Sequence, residues 1–130
     1  KEKFLVFNTH FDHIGNVARK ESSNLILKRI DEINNDNLPV ILTGDFNLED
    51  SNPTIKNIQK YLTDVQFNID KSNKYYGTFT GFKHSKIIEK RIDYIFVKNI
   101  KVNQSKHVHL KTPINGWASD HHPVLTTLKF

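Results

Sequence analysis

Residues 4–47 read FLVFNTHFDHIGNVARKESSNLILKRIDEINNDNLPVILTGDFN. Phe4–His10 is a short apolar run ending in polar residues, the pattern of a buried strand. Val17, Ala18, Leu25, Ile26, Ile30 and Ile33 then recur at steps of three and four with charges between them, which predicts a helix. Asn34-Asn35-Asp36-Asn37 ends it. Pro39–Thr43 is a continuous apolar strand, stopped by Gly44-Asp45-Phe46-Asn47. Strand, helix and buried strand in that order form a βαβ unit, so the two strands are expected to run parallel. The fold class is therefore α/β, a mixed sheet with helices on one face.

Outward from this unit, Asn52 followed by Pro53 is a helix start, with the cap first and Pro at the first helical position. Ile55, Ile58, Tyr61 and Leu62 make its apolar stripe. The remainder reads as strands over Val65–Ile69, Thr78–Phe82, Ile92–Val97, Val102–Leu110 and Val124–Phe130. The 130 residues amount to one ordinary domain, with no repeat, low-complexity tract or linker. No apolar run approaches the roughly 20 residues of a membrane helix, and no leader is visible at the start, so the compartment is left open. The chain has no Cys, which excludes disulfides, thiolate zinc sites and thiol nucleophiles. It has no Met either and begins at Lys1, so it is expected to be a piece of something longer or a processed form. Abundant Lys, Asn and Ile suggest an AT-rich, bacterial coding sequence. The net charge of +5 invites a nucleic-acid or anionic-lipid partner. The lysines are spread evenly, however, and Arg19, Arg29 and Arg91 are the only arginines, so the charge reads mostly as solvated surface.

Four polar clusters interrupt the apolar scaffold, each at or near the end of a predicted strand. They are Asn8-Thr9-His10-Phe11-Asp12-His13, Gly44-Asp45-Phe46-Asn47, Arg91-Ile92-Asp93-Tyr94 and Ser119-Asp120-His121-His122-Pro123. One histidine at a strand end is ordinary, and Asp45 with Asn47 after a glycine would alone be a turn. Asp93 lies inside the apolar strand Ile92–Val97, where an unpaired carboxylate would be expensive, so it needs a partner, and a histidine is the natural one. In open α/β sheets ligands bind beyond the strand ends, where such clusters converge.

In order and spacing, NTHFDH, ILTGDFN, KRIDYIFV and SDHHPV resemble the endonuclease/exonuclease/phosphatase superfamily, metal-dependent phosphoesterases that include deoxyribonuclease I and exonuclease III relatives. The resemblance runs the length of the chain but implies only the C-terminal half, residues 1–130, of a four-layer sandwich of two facing sheets. It places Asp120 at the metal, with a Glu from the absent N-terminal half as main co-ligand. It gives Asp45 a part in positioning or deprotonating the attacking water, or in metal binding. Asn47 would hydrogen-bond the scissile phosphate, and His10 would stabilise charge on a phosphate oxygen. His121 would pair with the phosphate or the water, with Asp93 fixing its tautomer. The implied cofactor is Mg²⁺, with Mn²⁺ as an alternative, and the implied substrate a phosphate ester in a nucleic acid or a small molecule. Which residue is the base, His121 or Asp45, stays open.

Asp12 and His13 read better as helix capping or support for the site than as catalysts. Arg91, Trp117 and Phe79 are candidates for substrate contact, each with a structural role as the competing reading. Residues 69–89 mix lysines with Tyr75, Tyr76, Phe79 and Phe82, a pattern that either grips DNA or packs a hairpin. A metallo-β-lactamase-like zinc site on His10, Asp12 and His13 is a remote alternative, because Asn8 stands where its first His belongs. The other alternative is a catalytically incomplete half-domain that acts only with its missing half or as a binding module. A lone half would expose a sheet face and associate through it with that half or with a second copy.

Overall fold

The computed structural model describes residues 2–66, 76–83, 88–109, 111–114 and 116–130. β1 (Leu5–His10) and β2 (Val40–Asp45) pair in parallel, from Leu5 opposite Val40 to His10 opposite Asp45. α1 (Asn16–Ile33) joins them. Asp12 prepares its start: Oδ1 accepts the N–H groups of Ile14 and Gly15, both at 2.6 Å, and these bonds hold its carboxyl below the usual range. At the other end the Asn34 side chain brackets Leu38, accepting its N–H at 2.7 Å and donating to its carbonyl at 2.9 Å. α2 (Pro53–Ile58) begins as its sequence predicts, with Asn52 Oδ1 accepting the Thr54 N–H at 2.9 Å.

β3 (Thr63–Asp64) and β4 (Asp93–Lys98) complete a mixed four-stranded sheet in the order β1-β2-β4-β3, with β4 antiparallel to both its neighbours. β5 (Lys101–His107) and β6 (Val124–Lys129) form a separate antiparallel pair. Strand alternation sends Leu5, Phe7, Val40, Leu42, Tyr94 and Phe96 toward both helices, where Ile30, Ile55 and Ile58 meet them. Phe46 centres this core, edge-on to Phe11, Tyr94 and Phe96 at 4.8, 5.5 and 5.3 Å. Burying each such side chain contributes about 1.5–3 kcal/mol. The α/β class, the parallel pair and the helices on one face of a mixed sheet are thus present.

Three strands deviate from their expected lengths. β3 stops at Asp64, whose Oδ1 accepts the Gln66 N–H at 3.0 Å and turns the chain, so the strand expected over 65–69 does not start there; residues 67–69 lie outside the described set. The strand expected over Thr78–Phe82 is reduced to one bridge, Phe79 opposite His121. Gly81 and Phe82 adopt left-handed backbone (φ 53° and 59°) and turn the segment away. β5 ends at His107, short of the expected Leu110.

Arg91 requires a correction as a candidate for substrate contact. It is 3% exposed and forked onto Asp64, also 3% exposed, at 2.8 and 2.5 Å, with its guanidinium 4.4 Å from the Tyr94 ring centre. The pairing raises its pKa against the opposing effect of burial. A guanidinium so enclosed joins β3 to β4 and does not face a ligand. Asp64→Asn is expected to destabilise the protein by about 3–5 kcal/mol, because it strands a buried cation; urea unfolding measures this.

Candidate active site

The face of the sheet away from the helices changes character along its strands. Register aligns three rows across β1, β2 and β4: Val6–Ile41–Val97, then Asn8–Thr43–Ile95, then His10–Asp45–Asp93. The last row gathers three of the four polar clusters at one end of the sheet. Gly44 permits the close pairing there, since a Cβ on it would lie 2.0 Å from the Thr9 carbonyl oxygen.

The fourth cluster supplies His121. Its Nδ1 lies 2.8 Å from Asp93 Oδ2, and its Nε2 lies 3.9 Å from Asp45 Oδ2. His10 Nε2 approaches the same Asp45 oxygen at 3.3 Å. Asp45 Oδ1 accepts the Asn47 N–H at 2.8 Å, which holds Asn47 in left-handed backbone at φ 50°. The Asn47 amide donates to the Phe11 carbonyl at 2.9 Å and lines the cleft beside His121. His10, Asp45, Asn47, Asp93 and His121 therefore converge.

The electrostatics follow from this packing. Burial raises the Asp45 pKa, the Asn47 N–H opposes that, and the neighbouring Asp93 charge adds to the rise. Burial lowers the His121 pKa, but the bond and charge of Asp93, with Asp45 and Asp120, raise it on balance. Nδ1–H donated to Asp93 leaves Nε2 of the neutral ring as an acceptor facing Asp45.

Donor atoms of Asp45, Asp93 and His121 all lie within 4.8 Å of one another. Two carboxylates in register, one of them desolvated, suit a hard divalent cation that relieves their repulsion. Asp120, assigned to the metal by resemblance, does not belong to this trio. Its carbonyl is clamped instead, accepting from Thr80 N at 2.6 Å and Thr80 Oγ1 at 2.9 Å, while its carboxylate meets Ser119 Oγ at 3.3 Å. Phe79 packs edge-on to His121 at 5.1 Å. Trp117 stands behind the site, edge-on to the buried His122 at 4.6 Å and under Lys111.

Two residues matter that sequence reasoning passed over. Thr78 is fully buried; its hydroxyl accepts the N–H groups of Ile92 and Asp93 at 3.1 and 3.2 Å, and its carbonyl accepts the His122 N–H at 2.7 Å. It thereby fixes the backbones on which Asp93 and His121 depend. Arg19, within α1, is also buried; Nη1 donates to the carbonyls of His13 at 3.0 Å and Asn47 at 3.4 Å, and Nη2 donates to Asn16 Oδ1. It ties the loop after β1 to the loop after β2. An apparently solvent-facing Arg on an apolar stripe, and a Thr before an aromatic, carry no distinguishing signal in one sequence.

The chain matches the Endonuclease/Exonuclease/phosphatase family over residues 3–121, and it belongs to that family, whose members are phosphoesterases. Among solved structures it is similar to a mannosyl-6-phosphatase of Bacteroides thetaiotaomicron, with 34% identity and a TM-score of 0.79 over 96% of this chain and 51% of that one. It is similar to an endonuclease/exonuclease/phosphatase family protein of the same organism, with 32% identity and a TM-score of 0.78 over 95% and 48%. A functionally unknown conserved protein of Enterococcus faecalis aligns at 28% identity and a TM-score of 0.79 over 95% and 49%. No curated protein matches the chain. The chain spans about half the length of these structures. Family membership also displaces the metallo-β-lactamase-like reading.

Thr78→Val is expected to cost about 1–3 kcal/mol by leaving two backbone donors without their acceptor, and Thr78→Ser to recover most of it; urea unfolding measures both. A second expectation concerns acid. Burial beside His109 and His121 pushes His122 down to about 4. Between that value and the ordinary one near 6.5, the unfolded chain binds the extra proton, so His122 makes stability fall as pH drops through this window. The urea midpoint followed from about pH 7 to about pH 4.5 should fall less steeply in His122→Gln.

Proposed function

We propose that this chain is the C-terminal half of an endonuclease/exonuclease/phosphatase domain and carries the His, Asp and Asn part of a site that hydrolyses phosphate esters. The reading rests on one observation: His121 is held by Asp93 at 2.8 Å with its free nitrogen 3.9 Å from Asp45. That gap is too long for a direct hydrogen bond and suits a bridging water. The water oxygen attacks phosphorus while its proton leaves to His121 Nε2 or to Asp45; the ester P–O bond breaks with its electron pair going to the leaving oxygen, which takes a proton from solvent and departs as the alcohol. Asp93 holds the imidazole in the tautomer that accepts and stabilises it once charged. His10, exposed at the end of the same row, donates to a phosphoryl oxygen, and Asn47 orients the phosphate beside it.

A divalent ion, Mg²⁺ or Mn²⁺, would be held by Asp45 with Asp93 or Asp120 and would neutralise charge on the phosphoryl oxygens. A Glu from the N-terminal half is its proposed main co-ligand. That half's sheet is the proposed cover for the open rows, where Val6 is 57% exposed on β1; a second copy is the alternative occupant. On this reading the isolated chain is weak or inactive. The similarity to a mannosyl-6-phosphatase favours a small phosphorylated substrate over a nucleic acid.

In the full-length protein with Mg²⁺ or Mn²⁺, His121→Ala is expected to lower phosphoester turnover by about 10²–10⁴-fold. Asp45→Asn is expected to lower it further and to raise the metal concentration needed for half-maximal rate. Turnover that survives both substitutions would overturn this site assignment.

A further inference from the structure

Beyond the reacting groups lies a cleft of about 480 Å³ that ends at His121 and is walled by Asn47, Glu49, Ser51, Asn52, Lys90 and Phe79. Its size falls in the range of roughly 300–1,000 Å³ usual for small-molecule sites. We infer that it holds the sugar of a phosphorylated carbohydrate, the hydroxylated leaving group of the ester cleaved at His121. This inference rests on the proposed phosphoester hydrolysis at that histidine.

Three observations carry it. The first is chemical. Besides the imidazoles of His13 and His121, the wall offers two amides, a hydroxyl, one carboxylate and one ammonium, a set that donates and accepts hydrogen bonds in nearly balanced charge. A polyol needs both kinds of partner. A nucleic-acid strand needs successive cations along its phosphates, and among the described residues lining this cleft there is one lysine. The second is the ring of Phe79, 36% exposed and packed against His121, which offers an apolar face to the C–H side of a pyranose next to the scissile bond.

The third is rigidity. Residues 48–52, which form the floor, are held from three directions. Tyr94 donates to the Leu48 carbonyl at 2.9 Å, Tyr76 donates to Asp50 at 2.7 Å, and Asn52 caps α2. Arg19 fixes the opposite wall by binding the His13 and Asn47 carbonyls. Polar groups held this way meet a ligand without paying for their own ordering.

The test uses the full-length protein and two readouts. Its kcat/KM is measured for a hexose 6-phosphate, for phenyl phosphate and for a short oligonucleotide. The hexose ester is expected to lead by at least about tenfold, and Glu49→Gln and Phe79→Ala each to cut the hexose-to-phenyl ratio by about tenfold. Calorimetric binding to a His121→Ala background separates the sugar from the chemistry. There, hexose 6-phosphate should bind more tightly than inorganic phosphate, and Glu49→Gln should erase that margin. No margin over phosphate, or an oligonucleotide preferred with steep salt dependence, overturns the inference. Binding with the margin intact but no hydrolysis of any ester overturns the proposed reaction and leaves the sugar site standing.

Discussion

The register between β1 and β2 is the constraint on which the rest depends. It is set by burial: Leu5, Phe7, Val40 and Leu42 must face the helices, so their alternate neighbours must face away. A slip of one residue would drive Asp45 toward Phe46's place in the core and expose the residues that hold the helices. The hydrophobic term thus specifies where the carboxylates go, although none of them contributes to it. His10, Asp45 and Asp93 share a row because three apolar patterns end at the same level.

Placing charges there has a cost, and the structure shows how it is met. Asp45 is flanked by two histidines and an amide N–H, and Asp93 by the His121 ring. The shortened segment around Thr78 matters here. Had residues 78–82 continued as a strand, its backbone groups would pair along a ladder; instead the Thr78 hydroxyl accepts the Ile92 and Asp93 N–H groups, and Thr80 donates its N–H and its hydroxyl to the Asp120 carbonyl. An irregular segment carries the positioning that a regular one could not.

How much of this was legible depended on whether the signal was local. The βαβ unit, the α2 cap and the four polar clusters are all written in short spacings, and each appears where the spacing put it. The convergence of those clusters was inferred from strand ends, and the register supplies the atomic reason. What escaped were roles set by distant partners. Arg91 and Asp93 stand two apart, so in an extended strand they would share a face. β4, however, begins only at Asp93; Arg91 precedes it and turns inward to Asp64, 27 residues back in the chain. Arg19 was invisible for a related reason, since the link it makes from the nearby His13 carbonyl runs to the Asn47 carbonyl, 28 residues away.

One motif, KRIDYIFV, therefore serves both sides of the sheet. Arg91 and Tyr94 close the core against Asp64 and Leu48, while Asp93 opens onto the site and orients His121. The two functions are coupled mechanically. The Tyr94 hydroxyl lies within hydrogen-bond reach of the carbonyls of both Leu48 and Arg91, at 2.9 and 3.0 Å, and its one proton is shared between them, so the residue that packs the core also sets the floor of the cleft. A substitution that loosens the Arg91–Asp64 pair should then disturb substrate fit as well as stability, because the same Tyr94 hydroxyl contacts the Arg91 carbonyl and the Leu48 end of that loop. The stability of this fold and the shape of its site are held by the same few buried polar groups.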